Sequence, residues 1–148
     1  MLVQEGAGWR LVVDPARHPF PVLIGGSHWA AELAPEEAEA LRSGIVRLID
    51  QHRALVAGLL EEEAITLEFE AGLEPEGWLW LELEGSRRDF ALRFVLHPPP
   101  GRRAVEGAWP AVASAAFAAA ITQAEGLGGR DRPRAVRQGD TLAIDQQS

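Results

Sequence analysis

Tryptophan and arginine, which often anchor protein interfaces, mark two candidate binding places in the chain. The first comprises Trp78 and Trp80, which alternate with leucines, and Arg93, which lies in the next apolar segment. Because side chains alternate between the two faces of a strand, both indoles should lie opposite the leucines, on an outer surface. We therefore predict a partner-binding surface that contains Trp78, Trp80 and Arg93.

The second place is the segment GRRAVEGAWP, at residues 101–110. In an extended chain Arg102 and Arg103 point to opposite sides, so they cannot act as a joint clamp. One of them could pair with Glu106 or with a glutamate of the outer surface. It could instead receive an anion near the start of the helix predicted to follow Trp109. The segment thus predicts either a structural salt bridge or an anion-binding site formed by Arg102, Arg103, Glu106 and Trp109, and we favour the salt bridge.

Patterns for catalysis and metal binding are weak in this sequence. Ser27 and His28 are adjacent, but neighbours on a strand face opposite sides and cannot form a nucleophile–base pair. The chain has no cysteine, and its four histidines lack the spacing of metal ligands. The sequence has no Gly-x-Ser-x-Gly, Gly-Lys phosphate-loop or His-Glu-x-x-His motif. We expect a protein without enzymatic activity, cofactor or metal.

The charge balance disfavours nucleic acid as a partner. The net charge is −8, the pI is about 5.0, and all 14 basic side chains are arginines. Alternation places four glutamates on the same outer surface as the two tryptophans: Glu68, Glu70, Glu82 and Glu84. These carboxylates would repel phosphates, whereas proteins that bind single strands combine aromatic side chains with basic ones. A protein partner is therefore predicted, and nucleic acid is the alternative.

The sequence also predicts where the protein resides. Its first residues lack the basic start and apolar stretch of a secretory signal. No segment offers the roughly 20 apolar residues that a membrane-spanning helix needs. The absence of cysteine is compatible with a reducing compartment. We expect a soluble, cytoplasmic protein.

The elements that would position these residues alternate between groups of strands and single helices. A first helix should run from residue 35 to about residue 61. Ahead of it, period-two patterns predict strands at 9–13, 21–24 and 28–33. A second helix should run from 110 to about 123, and the strands predicted ahead of it are at 65–70, 78–84, 90–96 and 102–107. This order predicts an antiparallel α+β fold with the pseudo-repeat β-β-β-α, β-β-β-β-α.

Helical periodicity predicts which side chains the helices bury. In the first helix the apolar residues step by three and four, as Leu41, Ile45 and Leu48 do. The buried positions predicted for the second helix include Val112, Ala116, Ala119 and Ile121. Residues 1–125 are predicted to form a single domain. Residues 126–148, rich in glycine, arginine and polar side chains, are predicted to form a flexible tail.

Four segments resemble, in this order, a small family of uncharacterised cyanobacterial proteins: EGAGWRLVVDP, PVLIGGSHWAAEL, LWLELEG and GRRAVEGAWP. The resemblance covers about residues 5–121, and the C-terminal tail has no counterpart in it. It implies a fold similar to that of the single-stranded-DNA-binding transcriptional regulators, the group that includes the plant Whirly proteins. The lysine-bearing binding motif of Whirly proteins has no match in this lysine-free chain.

These observations favour a non-enzymatic protein-binding or regulatory module. A regulator-like protein that binds single-stranded nucleic acid is the alternative, which the resemblance suggests and the negative charge opposes. Because one fold can host many functions, the choice depends on the surface that carries the tryptophans rather than on the fold.

Overall fold

The computed structural model describes residues 1–128, which form two blocks of the same design. Each block is a four-stranded antiparallel sheet followed by a helix, and neighbouring strands in the sheet are also neighbours in sequence. The first block contains β1 (Leu2–Gly6), β2 (Trp9–Val13), β3 (Val22–Gly25), β4 (Ala30–Leu33) and α1 (Pro35–Leu55). The second contains β5 (Ile65–Leu73), β6 (Gly77–Gly85), β7 (Phe90–His97), β8 (Val105–Trp109) and α2 (Ala111–Gln123). The predicted antiparallel α+β class is confirmed.

The first block has one strand more than the three that were predicted. The additional strand, β1, has the sequence LVQEG and pairs with β2 in a hairpin. All five of its residues are exposed or only half-buried, so it lacks the apolar alternation that identifies a strand from sequence. Gly8, with φ of 82°, supplies the left-handed conformation that the hairpin turn requires.

The first helix begins as predicted and ends earlier than predicted. Pro35 occupies its first turn together with Glu36 and Glu37, where carboxylates are favoured by the helix dipole. The helix ends at Leu55 and is followed by one 3₁₀ turn at Val56–Gly58, rather than continuing to about residue 61. Its buried stripe includes the predicted residues Leu41, Ile45 and Leu48.

The second helix buries a different face from the one predicted. Its buried residues are Ala113, Ser114, Phe117, Ala118 and Ile121, of which only Ile121 was correctly predicted. Val112 is 79 % exposed, and Ala116 and Ala119 also face solvent, so those three predictions were wrong. An alanine-rich helix has almost no periodic contrast, and the position of Phe117 determines which face turns inward.

One core joins the two blocks, because each helix packs beyond its own sheet. Although α1 follows the first sheet, it packs on β5 and β6 of the second sheet, and α2 contacts both β7 and β2. Gly44 permits the approach of α1, since a Cβ atom there would lie 2.5 Å from the Phe69 ring. Apolar residues of both sheets and both helices belong to the same core cluster. The opposite side of the β5–β8 sheet points away from this core, and we call it the outer face.

The packed body extends past the predicted domain boundary at residue 125. Leu127 is only 3 % exposed and belongs to the core cluster. The predicted flexible tail, residues 126–148, lies for the most part outside the described residues, which end at Gly128.

Candidate functional site on the outer face

The outer face is positioned by strict alternation in β6, whose sequence is GWLWLELEG. The leucines of this strand are buried, whereas Trp78, Trp80, Glu82 and Glu84 point outward, as the alternation predicts. Antiparallel pairing places Trp78 between Gly72 on β5 and His97 on β7. The same pairing places Glu70 opposite Trp80.

Trp80 and Arg93 are in direct contact on this face. The guanidinium carbon of Arg93 lies 4.9 Å from the centre of the Trp80 ring, within the range of a cation–π interaction. The same guanidinium donates from Nη2 to Glu82 Oε1 at 3.2 Å and from Nε at 3.3 Å. Arg93 is therefore held by an indole below it and a carboxylate beside it. The structure brings Trp80 and Arg93 together, as a shared binding surface requires.

Trp78 is the more open of the two tryptophans. Its ring stacks on His97, with ring centres 4.2 Å apart and planes inclined by 22°, yet 42 % of the residue is exposed. On the β5 side it borders a shallow cleft of about 490 Å³, which is lined by Glu70, Ala71, Gly72 and Trp78. A Cβ atom at Gly72 would have no neighbour within 4 Å, so the glycine leaves this space open.

The outer face is acidic. It carries five glutamates, namely Glu68, Glu70, Glu82, Glu84 and Glu106. Arg93 is the only arginine among the β5–β8 residues that point to this side. Its positive charge is already paired with Glu82, so the remaining carboxylates give the face a negative field.

Arg102 does not belong to the outer face, because it binds the start of α1. Its Nη1 donates to Glu37 Oε2 at 3.1 Å and its Nη2 to Glu37 Oε1 at 3.3 Å. Glu37 is 3 % exposed and also accepts a hydrogen bond from the Ala34 backbone N–H at 2.7 Å. The Arg102 guanidinium lies over the Phe20 ring, 4.6 Å from its centre. Arg102 thus makes a structural salt bridge, but with Glu37 rather than with Glu106 or an outer-face glutamate.

The other members of the predicted anion site lie apart. Arg102 and Arg103 precede β8, which begins at Val105, so the prediction of a strand from residue 102 to 107 was wrong at both ends. Arg103 and Glu106 are exposed. Trp109 is 1 % exposed, stacks on Phe117 with ring centres 4.0 Å apart, and is a core residue. Trp109 is therefore not accessible to a ligand at the surface where Arg103 and Glu106 lie.

The first turn of α2 makes hydrogen bonds to the residues that precede it. The N–H groups of Ala113 and Ser114 donate to the Pro110 carbonyl at 2.9 Å. The Ser114 hydroxyl donates to the Trp109 carbonyl at 2.8 Å and accepts from the Leu92 N–H at 3.0 Å. Trp109 and Pro110 therefore connect β8 to the first turn of α2 through their carbonyl groups.

Two residues of these sites were missed at the level of sequence. Glu37 could not be assigned to this site from local patterns, because its partner Arg102 lies 65 residues further along the chain. Gly72 was not considered, although a glycine inside an alternating strand is a signal of close approach or open space. The role of Glu37 depends on a contact between distant elements, whereas that of Gly72 depends on its position opposite Trp78 in the β5–β6 register.

Two further observations apply to the part of the chain that the structure describes. Across residues 1–128, His, Asp and Glu side chains do not assemble into a group of three or more that could hold a metal ion. In the same range, no helix has both the length and the apolar character to cross a membrane.

The fold and the site define a class of α+β protein with two sheet–helix blocks and a tryptophan-bearing, acidic outer face. The chain belongs to the family described as Domain of unknown function (DUF1818), which matches residues 4–124. It is also similar to a crystal structure of a protein of unknown function, from the DUF155 family, of Prochlorococcus sp. NATL2A. That similarity has a TM-score of 0.73 and 32 % sequence identity, covering 82 % of this chain and 96 % of the other. The comparison with curated proteins gave no match.

Proposed function

We propose that this protein is a non-enzymatic protein-binding or regulatory module of the cytoplasm, and that the outer face is its binding surface. The observation that carries the proposal is the 42 % exposure of Trp78 on a strand whose opposite side is fully buried. Tryptophan is the residue most enriched at the energetic centres of protein interfaces. An indole held on a rigid sheet loses little side-chain entropy when a partner covers it.

Neighbouring contacts support the same surface. Trp78 is oriented by His97 and Trp80 by Arg93, so both indoles are ordered before a partner arrives. Preorganisation of this kind lowers the cost of binding. The five carboxylates would select against an acidic partner and guide the approach of a basic one.

We infer that the fold is of the Whirly type and that the family is cyanobacterial. Two strand-rich blocks, each closed by a helix, support the first inference, and the Prochlorococcus neighbour supports the second. Binding of single-stranded nucleic acid is the alternative function that this likeness suggests. The acidic outer face opposes it, because phosphates would meet five glutamates and one paired arginine. Titration of labelled DNA and RNA oligonucleotides at low and high salt tests it, and salt-dependent binding at low ionic strength would favour the alternative.

The binding surface is tested with the double variant Trp78→Ala, Trp80→Ala. The tagged protein and the variant are compared in pull-downs from cells of the source organism, and we expect the variant to lose a partner that the wild type retains. The matched control is Val112→Ala, which removes an apolar side chain that is 79 % exposed on α2, away from the outer face. A partner retained by the double variant, at unchanged thermal stability, would contradict the proposal.

A further inference from the structure

We propose that the cleft beside Trp78 receives the cationic side chain of an arginine or lysine from a basic peptide segment of the partner. This inference rests on the proposed function of the outer face and specifies the chemistry of its ligand. Two indoles on the same strand differ in one respect: Trp80 is already covered by a cation, whereas Trp78 is open.

Trp80 shows which ligand an indole of this face takes. Arg93 lies over the ring at 4.9 Å and pairs with the Glu82 carboxylate at 3.2 Å. Both contacts run between neighbouring strands, because Glu82 and Arg93 are directly paired in the β6–β7 register. The arrangement therefore consists of three parts: an indole, a carboxylate on the sheet, and a guanidinium that contacts both.

Trp78 has the first two parts of this arrangement and an open space for the third. His97 covers the ring on the β7 side, and Glu70 lies on β5 next to the cleft. Directly opposite Trp78 the β5 residue is Gly72, so no side chain fills the cleft from below. A cationic side chain entering there would contact the indole and approach the Glu70 carboxylate, as Arg93 does at Trp80 and Glu82.

The charge of the surroundings favours a cation over other ligands. Five glutamates and one arginine give the outer face a net charge of −5 + 1 = −4 with His97 neutral. A field of this sign raises the local concentration of basic segments and repels phosphates and acidic segments. A neutral apolar segment could pack on Trp78, but it would leave Glu70 beside it without a partner. Charge complementarity therefore identifies a basic segment as the occupant.

The experiment is a titration of the ¹⁵N-labelled protein with a capped tetra-arginine peptide at low ionic strength, followed through the indole N–H signals of the five tryptophans. We expect the Trp78 signal to shift with saturation, and a capped tetra-citrulline peptide, which has nearly the same shape without charge, to bind at least about fivefold more weakly. The signals of the core residue Trp109 and the other indoles report that each variant is folded.

Two variants isolate the cleft from the rest of the face. Gly72→Leu fills the cleft without removing the indole or a charge, and its backbone has no positive φ that would make a side chain strained. Glu70→Gln removes one charge at constant shape. Each should weaken tetra-arginine binding by about threefold or more. Their controls are Thr66→Leu, which adds a leucine on the same face of β5, and Glu84→Gln, which removes a charge further from Trp78. Both controls should stay within about twofold of wild type.

The outcomes separate this inference from the proposed function. Equal binding by wild type, Gly72→Leu and Glu70→Gln, equal losses for Glu70→Gln and Glu84→Gln, or no Trp78 shift at all would each overturn the cation site. If the Trp78→Ala, Trp80→Ala variant loses its protein partner while Gly72→Leu retains it, the outer face binds protein but not through this cleft. If the double variant retains the partner, the proposed function itself fails.

Discussion

The protein uses tryptophan in two opposite ways, which are visible when the inner pair Trp29 and Trp109 is compared with the outer pair Trp78 and Trp80. The inner indoles donate across the blocks: Trp109 Nε1 to the Gly25 carbonyl at 2.9 Å, and Trp29 Nε1 to the Ala108 carbonyl at 3.2 Å. Their rings contact each other, with centres 5.1 Å apart. The outer indoles contact residues of β7, in their own sheet. The inner pair therefore joins the two blocks, whereas the outer pair lies on the outer face, where Arg93 covers Trp80 and Trp78 stays exposed.

The largest predicted effect is that of Trp109→Ala. This change removes a fully buried ring from the stack on Phe117 and leaves the Gly25 carbonyl without its donor. We expect the free energy of unfolding to fall by about 3–5 kcal/mol, as for other large-to-alanine changes in cores. Chemical denaturation followed by circular dichroism measures it. Trp109→Phe, which keeps an aromatic ring in the core, is the control and should cost clearly less.

An unfolding free energy within about 1 kcal/mol of wild type for Trp109→Ala would mean that the inner indoles do not hold the blocks together. The corresponding alanine change at Trp29 should fall between the inner and outer extremes, since Trp29 is only partly buried.

The two adjacent arginines, Arg102 and Arg103, differ in the same way as the two pairs of tryptophans. Arg102 binds the buried carboxylate of Glu37, whereas Arg103 is exposed. Arg102→Met keeps an aliphatic side chain over Phe20 but leaves Glu37 without its cation, and we expect it to destabilise the protein by about 1–3 kcal/mol. The matched change Arg103→Met should stay within about 0.5 kcal/mol. Thermal and urea unfolding of the two variants, side by side, give the difference.

A double-mutant cycle with Glu37→Gln tests whether the salt bridge itself accounts for the loss of stability. If the salt bridge accounts for the effect, the losses from Arg102→Met and Glu37→Gln should not add. Additive losses would show that each residue acts through other contacts, for example Arg102 through Phe20 and Glu37 through the Ala34 N–H.

Local patterns predicted the positions of Trp78 and Trp80 correctly and that of Trp109 poorly. The outward position of Trp78 and Trp80 follows from alternation within nine residues of β6, which requires no knowledge of other elements. Trp109 was placed in a candidate anion site because its partner Gly25 lies 84 residues away, and no local signal connects them. The buried face of helix α2 was predicted wrongly for a different reason, because its alanine-rich sequence has almost no periodic contrast.

The pairing of Arg102 with Glu37 was predictable from the sequence only in part. The choice between an anion site and a salt bridge followed from the chemistry of arginine, and the structure provides the salt bridge. The identity of the partner required the tertiary arrangement, because α1 packs on the second sheet rather than on its own. Residue chemistry was therefore predictable, and long-range pairing was not.

The smallest predicted effect on stability is that of Trp78→Ala. The ring is 42 % exposed, and its main described contact is the stack on His97, so its removal opens no cavity in the core. We expect a loss of no more than about 1 kcal/mol, the usual value of one exposed aromatic pair. Thermal unfolding measures it, with Trp109→Ala in parallel as the reference for a buried indole. A loss as large as that of Trp109→Ala would mean that Trp78 is a packing residue. A small loss would instead mean that this tryptophan is held at the surface at little cost to folding, which is the condition that a binding residue has to meet.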